Sequence, residues 1–151
     1  FSPEEWEHAT RELEKKLEPE LVSMRPGGHA SVNYITGENA VRLANKIFGF
    51  NGWSTRILEV NHVLCNERNG RYDIVIRSSM EVMLKDGTVK QDVGVGAIKN
   101  ARDFGDAYDT ALKTAVTDGM KRCLRLFGDR LGNCLYNDGY NKEIKKQRRK
   151  R

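Results

Sequence analysis

Lys113, Lys121 and Arg125 recur at multiples of four within one apolar-striped segment, and Arg122 lies beside them. On an α-helix, residues four apart form a ridge, so these side chains make a short rail of cations. Fixed cations on a helix face hold phosphates by charge, and such contacts are indifferent to base identity. A solvated helix face is the commoner fate of such a rail. Whole-chain charge does not choose between the two. The chain is net +5, yet residues 142–151, KEIKKQRRKR, carry seven basic residues and one acid, which leaves the other 141 residues at net −1. Any basic surface on the folded part must therefore be local. Residues 1–20, with seven acids against three basic residues, balance it, and screening beyond about 8 Å lets two such regions coexist.

Other chemistries lack their residues. No P-loop, G-x-S-x-G or H-E-x-x-H occurs, so hydrolase readings have no nucleophile or metal, and no enzyme is expected. Asp118, a carboxylate without a partner acid, suits a salt bridge or a cap better than a general base. Cys65, Cys123 and Cys134 form an odd set without a C-x-x-C pair, which argues for a reducing compartment rather than a disulfide framework. His8, His29 and His62 are scattered, so neither a metal site nor a cofactor is expected. No apolar run approaches the ~20 residues of a membrane span, and no membrane partner is expected. The opening FSPEEW lacks an initiator methionine, as expected of a fragment of a longer polypeptide.

The rail needs a helix to carry it, and residues 104–133, FGDAYDTALKTAVTDGMKRCLRLFGDRLGN, supply one followed by a tight exit. Phe104, Tyr108, Leu112, Val116, Met120, Leu124 and Phe127 fall at spacings of three and four with the intervening alanines, a stripe that must face a core. Ala107, Ala111, Ala115, Gly119 and Cys123 form a ridge almost without bulk, so another backbone can lie against it. A helix glycine costs about 1 kcal/mol relative to alanine, which assigns Gly119 to that close approach. Asp103, Asp106 and Asp109 come early and the cations late, each at the end that the helix dipole favours. Gly128 is expected to supply a left-handed stop.

Upstream, Ser2-Pro3-Glu4-Glu5 reads as a capping box opening a helix with Trp6, Ala9, Leu13 and Leu17 on one stripe, ending near Pro19. Arg25-Pro26-Gly27-Gly28 reads as a backbone break before a short strand over residues 30–35, and residues 38–48 as a second helix. From Trp53 the period becomes two. Strands are expected over 53–64, over 72–85 with Tyr72, Ile74, Ile76, Ser78, Met80, Val82 and Leu84 on one face, and over 89–98 after the Asp86-Gly87 hairpin turn. Gly94 and Gly96 share a face of the last strand, leaving room for a bend or a close neighbour. The expected fold class is α+β: a curved three-stranded antiparallel meander packed on the long helix, with amino-terminal helices and a short extra strand. Helix, three strands, helix is also the outline of double-stranded-RNA-binding domains, but those place lysines at the start of the last helix, where this chain is acidic.

Several of these segments, AVTDGMKRCLRLFG at 115–128, LGNCLY at 131–136, LANKIFGFNGWS at 43–54 and DVGVG at 92–96, resemble the Rad fifty-two family of recombination mediators and single-strand annealing proteins. The likeness covers roughly residues 13–142, the family's amino-terminal annealing domain. It implies a nuclear DNA-repair protein that binds and anneals single-stranded DNA in homologous recombination and double-strand-break repair, without a catalytic centre. It also implies a closed homo-oligomeric ring with DNA in a groove around its outside. By matching position, the inner groove would be lined by Arg25, Tyr34, Lys113, Lys121, Arg122 and Arg125, and an outer site by Lys16, Arg71, Arg102 and Lys142. Asp138 stands where the family pattern has a lysine. Recombinase and single-strand-binding protein contacts would fall in regions outside this chain.

The domain reading is residues 1–141 as the DNA-binding, ring-forming unit and residues 142–151 as a basic tail, with Lys145 to Arg151 expected as a disordered polycation. Tyr34 admits two readings, half-buried core or nucleic-acid contact. The outer strands carry few of the lysines and prolines that blunt a sheet edge, so a neighbouring subunit is expected to pair with them.

Overall fold

The computed structural model describes residues 1–27 and 30–149. By compactness the chain divides into two units, Ser54–Cys123 and Phe1–Trp53 with Leu124–Arg151, each described by itself.

The first unit holds the three-stranded antiparallel sheet, in the order β3 (Trp53–Arg68), β4 (Arg71–Leu84), β5 (Val89–Ala101), and nearly all of helix α3 (Phe104–Arg125). β5 and most of β4 follow the alternation of the sequence, whereas β3 is exposed over most of its length; β3 and β5 run further than expected, to Arg68 and Ala101. Ile74, Ile76, Ser78, Met80, Val82 and Leu84 of β4 are all buried, so one face of the central strand is core. Ala107, Ala111, Ala115 and Cys123 of α3 are buried as well. The ridge is small because the sheet backbone lies against it. A methyl group on Gly96 would overlap the Ala111 carbonyl, and one on Gly94 would overlap Gly119 N and the Ala115 carbonyl. A methyl on Gly119 would lie 2.8 Å from Ser78 Oγ. Ser78 Oγ donates to the Ala115 carbonyl at 2.6 Å, which satisfies the one hydroxyl buried in this contact. The stripe on α3 is less uniform than its spacing suggests. Phe104 is 42% exposed and packs on Tyr72 and Tyr108 at the sheet's end instead of entering the core.

The second unit contains α1 (Pro3–Glu14), the hairpin β1 (Ser23–Gly27) and β2 (Ala30–Tyr34), α2 (Gly37–Phe48) and α4 (Asp138–Arg149). The expected capping box is formed, Ser2 Oγ accepting from Glu5 N and Glu5 Oε1 from Ser2 N. The helix stops at Glu14, well before Pro19, because Lys15 turns extended and the chain buries Leu17. Trp6 leaves the predicted stripe and is 61% exposed. Residues 23–27 are not a break. They pair with residues 30–34, Pro26 opposite Ser31. A two-stranded ribbon is all edge, and an edge tolerates proline.

The carboxy-terminal expectations need two corrections. Gly128 has φ 161°, extended backbone, and the left-handed residue is Gly132 at φ 108°. Gly128 serves packing instead: a side chain there would meet the Leu13 carbonyl at 2.5 Å. The tail is helical through Arg149 rather than disordered, and Lys150 and Arg151 lie outside the described residues. Tyr140 and Ile144, one turn apart, are buried and give the helix an inner face, and Asn137 Oδ1 caps Tyr140 N at 2.9 Å. Two large apolar side chains thus outweigh the repulsion of the surrounding cations.

Candidate nucleic-acid interface

In the sheet unit, Asp103 opens α3 by accepting from Asp106 N at 3.1 Å, and the glycine seat fixes the helix's rotation on the sheet. That rotation leaves Lys113 and Arg122 exposed and Lys121 half-buried. Lys113 and Lys121 are eight residues apart, about 12 Å along the axis. Lys113 Nζ pairs with Asp109 at 2.8 Å, and the hydrogen bond to Asp109 holds the ammonium above its ordinary pKa. Arg122 Nε pairs with Asp118 Oδ2 at 3.1 Å. The same Asp118 oxygen accepts from Val95 N at 3.1 Å, so Asp118 is a structural acceptor, as its isolation in sequence implied. Exposed ion pairs of this kind contribute about 0–1 kcal/mol. A phosphate arriving at Lys113 or Arg122 therefore displaces a weak partner.

Arg71 and Arg102 are brought together at one end of the sheet, because Tyr72 is opposite Ala101 in the register. Arg71 Nη1 donates to the Asn100 carbonyl at 3.3 Å. Asn100 sits at φ 58° in the bulge between the Tyr72 and Ile74 pairs, where its N–H donates to Asp73 Oδ1 at 2.8 Å. The bulge is the device that aims this corner of the sheet.

In the other unit, Arg25 of β1 pairs with Val32 and Tyr34 of β2 with Ser23, so Arg25 and Tyr34 are diagonal neighbours on one face of the ribbon. The Arg25 guanidinium lies 5.8 Å from the Tyr34 ring centroid, with Arg25 exposed and Tyr34 half-buried. Of its two readings, Tyr34 matches the half-buried one, and its ring carries the chain's own Arg25 cation. Arg125 stacks 4.1 Å from the centroid of Tyr136, itself 64% exposed, and donates to Asn133 Oδ1 at 3.1 Å. Lys16 Nζ lies 5.9 Å from the Tyr140 ring, and Lys142 is exposed on α4. Asp138 occupies the first turn of α4, where a carboxylate suits the helix dipole.

The structure thus brings together Arg25 with Tyr34, and Arg71 with Arg102 at the sheet's end. It sets Arg125 on Tyr136 and Lys16 near Tyr140, while Lys113, Lys121 and Arg122 are spread along and around α3 and Lys142 stands apart on α4. Sequence reasoning missed the residues that steady them. Tyr136 and Asn133 orient Arg125, and Arg148, Asn33 and Asn141 tie α4 to the hairpin. The aromatic after the Gly132-Asn133 exit was a legible signal for the first pair; nothing local marked the second. Among the described residues no group of His, Cys, Asp and Glu could hold a metal, and no helix is long and apolar enough to cross a membrane.

Comparison with known proteins gives this geometry a setting. The chain is 46% identical over 137 residues, 90% of its length, to the DNA repair and recombination protein RAD52 of Candida glabrata. It is 42% identical over 151 residues, 98% of its length, to the DNA repair and recombination protein rad22 of Schizosaccharomyces pombe. It is 44% identical over 135 residues, 89% of its length, to RAD52 of Saccharomyces cerevisiae. It spans only 27%, 32% and 29% of those relatives respectively. Residues 5–151 match the Rad52/22 family of double-strand break repair proteins. With that match over nearly its whole length, the chain belongs to the Rad52/22 family.

Proposed function

We propose that the chain binds single-stranded DNA through its phosphates and anneals complementary strands, as the annealing portion of a nuclear protein of homologous recombination and double-strand-break repair. The observation that carries this reading is the exposure of Lys113 and Arg122 on α3, each held only by an acid one turn away, Asp109 and Asp118, in an ion pair that a phosphate can displace. Annealing requires phosphates held and base edges left free to search. Cations on a helix do the first without obstructing the second. Lys113, Lys121 and Arg122 in the sheet unit hold phosphates of single-stranded DNA, and within the other unit Arg25, Tyr34 and Arg125 are proposed for the same role. Arg71 and Arg102 in the sheet unit serve a second strand or duplex, and within the other unit Lys16 and Lys142 are proposed for that second role. The acid at Asp138 weakens the end of that second set.

Copies of the chain join in a closed ring. Strands β3 and β5 are the edges of the sheet, with Ile57, Leu58 and Val63 exposed on one and Val93 and Val95 on the other. A neighbour's surface would cover these, and head-to-tail contacts close when their rotation divides a full turn. Recombinase and single-strand-binding protein contacts belong to segments outside this chain.

Anisotropy titrations with fluorescent single- and double-stranded DNA and RNA test the reading. Single-stranded DNA is expected to bind tightest, with little sequence preference and a steep salt dependence. Preference for duplex RNA would overturn it in favour of a double-stranded-RNA-binding module. Light scattering after size exclusion tests the ring, and a 17.2 kDa species would refute it.

A further inference from the structure

The hairpin of β1 and β2 is a two-stranded ribbon, an arrangement marginal in water without support. Its support is the carboxy-terminal helix. Arg148 of α4 places one guanidinium across both strands: Nη2 donates to the Val22 carbonyl at 2.9 Å, just before β1, and Nη1 donates to Asn33 Oδ1 at 3.0 Å on β2. Nη1 also lies 3.3 Å from Met24 Sδ, the β1 residue opposite Asn33. About two turns earlier on α4, Asn141 Oδ1 accepts from Asn33 Nδ2 at 3.0 Å, and Asn141 Nδ2 donates to the Leu135 carbonyl at 2.9 Å. Asn33 is therefore gripped on both ends of its amide. Met24 and Asn33 flank Arg25 and Tyr34 directly in sequence, and Val22 lies three residues before Arg25.

We propose that α4 is a splint for the hairpin and that Arg148 is a positioning residue for the Arg25–Tyr34 contact to single-stranded DNA, rather than one more cation of a basic tail. The inference rests on the proposed DNA binding and goes beyond it by assigning α4 a role distinct from its charge. A fork donor is needed for two acceptors, one on the segment entering β1 and one on β2, so lysine cannot replace arginine here. Lys145, Lys146 and Arg149 share the helix and are exposed, so they isolate the effect of charge.

The test uses the whole chain and fluorescent oligothymidylate. Arg148→Ala and Arg148→Lys are both expected to weaken binding three- to tenfold and to speed amide exchange in the 23–34 hairpin, with exchange in β4 unchanged. The Lys145→Ala/Lys146→Ala/Arg149→Ala triple variant is expected to lower affinity only at low salt and to leave hairpin exchange alone. In an Arg25→Ala/Tyr34→Ala background, Arg148→Ala is expected to cost nothing further. Full rescue by lysine, or a loss that simply adds to that of Arg25→Ala/Tyr34→Ala, would make Arg148 a direct phosphate contact and overturn the splint. Unchanged hairpin exchange in Arg148→Ala would overturn it as well. Failure of the parent chain to bind the oligonucleotide would overturn the DNA reading itself, whereas any of the preceding results with a binding parent overturns the splint alone.

Discussion

Replacing Arg122 with alanine separates a phosphate contact from a structural ion pair. Arg122 and Asp118 form an i,i+4 pair with side chains 46% and 29% exposed. A pair so exposed contributes about 0.3–0.5 kcal/mol. Asp118 also keeps its hydrogen bond from Val95 N when the arginine is gone, so no buried carboxylate is stranded. The fold should barely notice, with a stability loss below about 1 kcal/mol. Binding should notice. Each phosphate neutralised on a single strand adds about 0.7 to the slope of log affinity against log salt. Between 1 M and 0.15 M salt that single contact changes affinity about fourfold, or about 0.8 kcal/mol. In a ring the loss recurs at every subunit that touches the strand. Anisotropy titrations across a salt series should therefore show a slope shallower by about 0.7 per bound subunit, with assembly size and far-ultraviolet dichroism unchanged. An unchanged slope with a normal fold would refute the assignment of Arg122 to phosphate, and a lost fold would refute the claim that the ion pair is dispensable.

Asp118→Asn should raise single-strand affinity, because the amide oxygen can still accept from Val95 N while the competing charge on Arg122 disappears; weaker binding would count against displacement of this pair by phosphate. Gly96→Ala should destabilise by about 3 kcal/mol or more in chemical denaturation, since the new methyl meets the Ala111 carbonyl and both groups are backbone-bound. Burial pushes the Cys123 thiol up to about 11 and raises Cys134 as well, so in the native protein at pH 8 only exposed Cys65 should react promptly with a disulfide reagent, and all three in denaturant. The same shifts set an alkaline limit. The folded thiol pKa is raised, so the unfolded chain gives up its protons first; the thiol contribution to stability is complete below about 8.5 and declines as pH rises towards 11. Denaturation midpoints that are flat from pH 8 to 11 would contradict it.

What could be read from the sequence was what repeats with a local period. Ile74, Ile76, Ser78, Met80, Val82 and Leu84 alternate because β4 has one buried face, and Ala107, Ala111, Ala115 and Gly119 recur every four residues because one helix ridge meets backbone. Both patterns are written by contacts that each residue makes along a single element, so spacing alone exposes them. The ion pairs of Lys113 with Asp109 and Arg122 with Asp118 were legible for the same reason, each acid lying one turn before its cation. Tertiary structure decided the rest. Whether residues 138–149 coil or fold depended on where Tyr140 and Ile144 could be buried, and the Tyr140 hydroxyl finds the Leu17 carbonyl across more than a hundred residues of chain. Gly128 looked like a helix stop but is a glycine because Leu13 lies against it, a neighbour that no local window contains. Arg148 reads as one charge among seven in the tail, and only folding sets its two faces against Val22 and Asn33. Periodicity carries the contacts within an element; the partner of a side chain that reaches across the chain is fixed only when the distant backbone arrives.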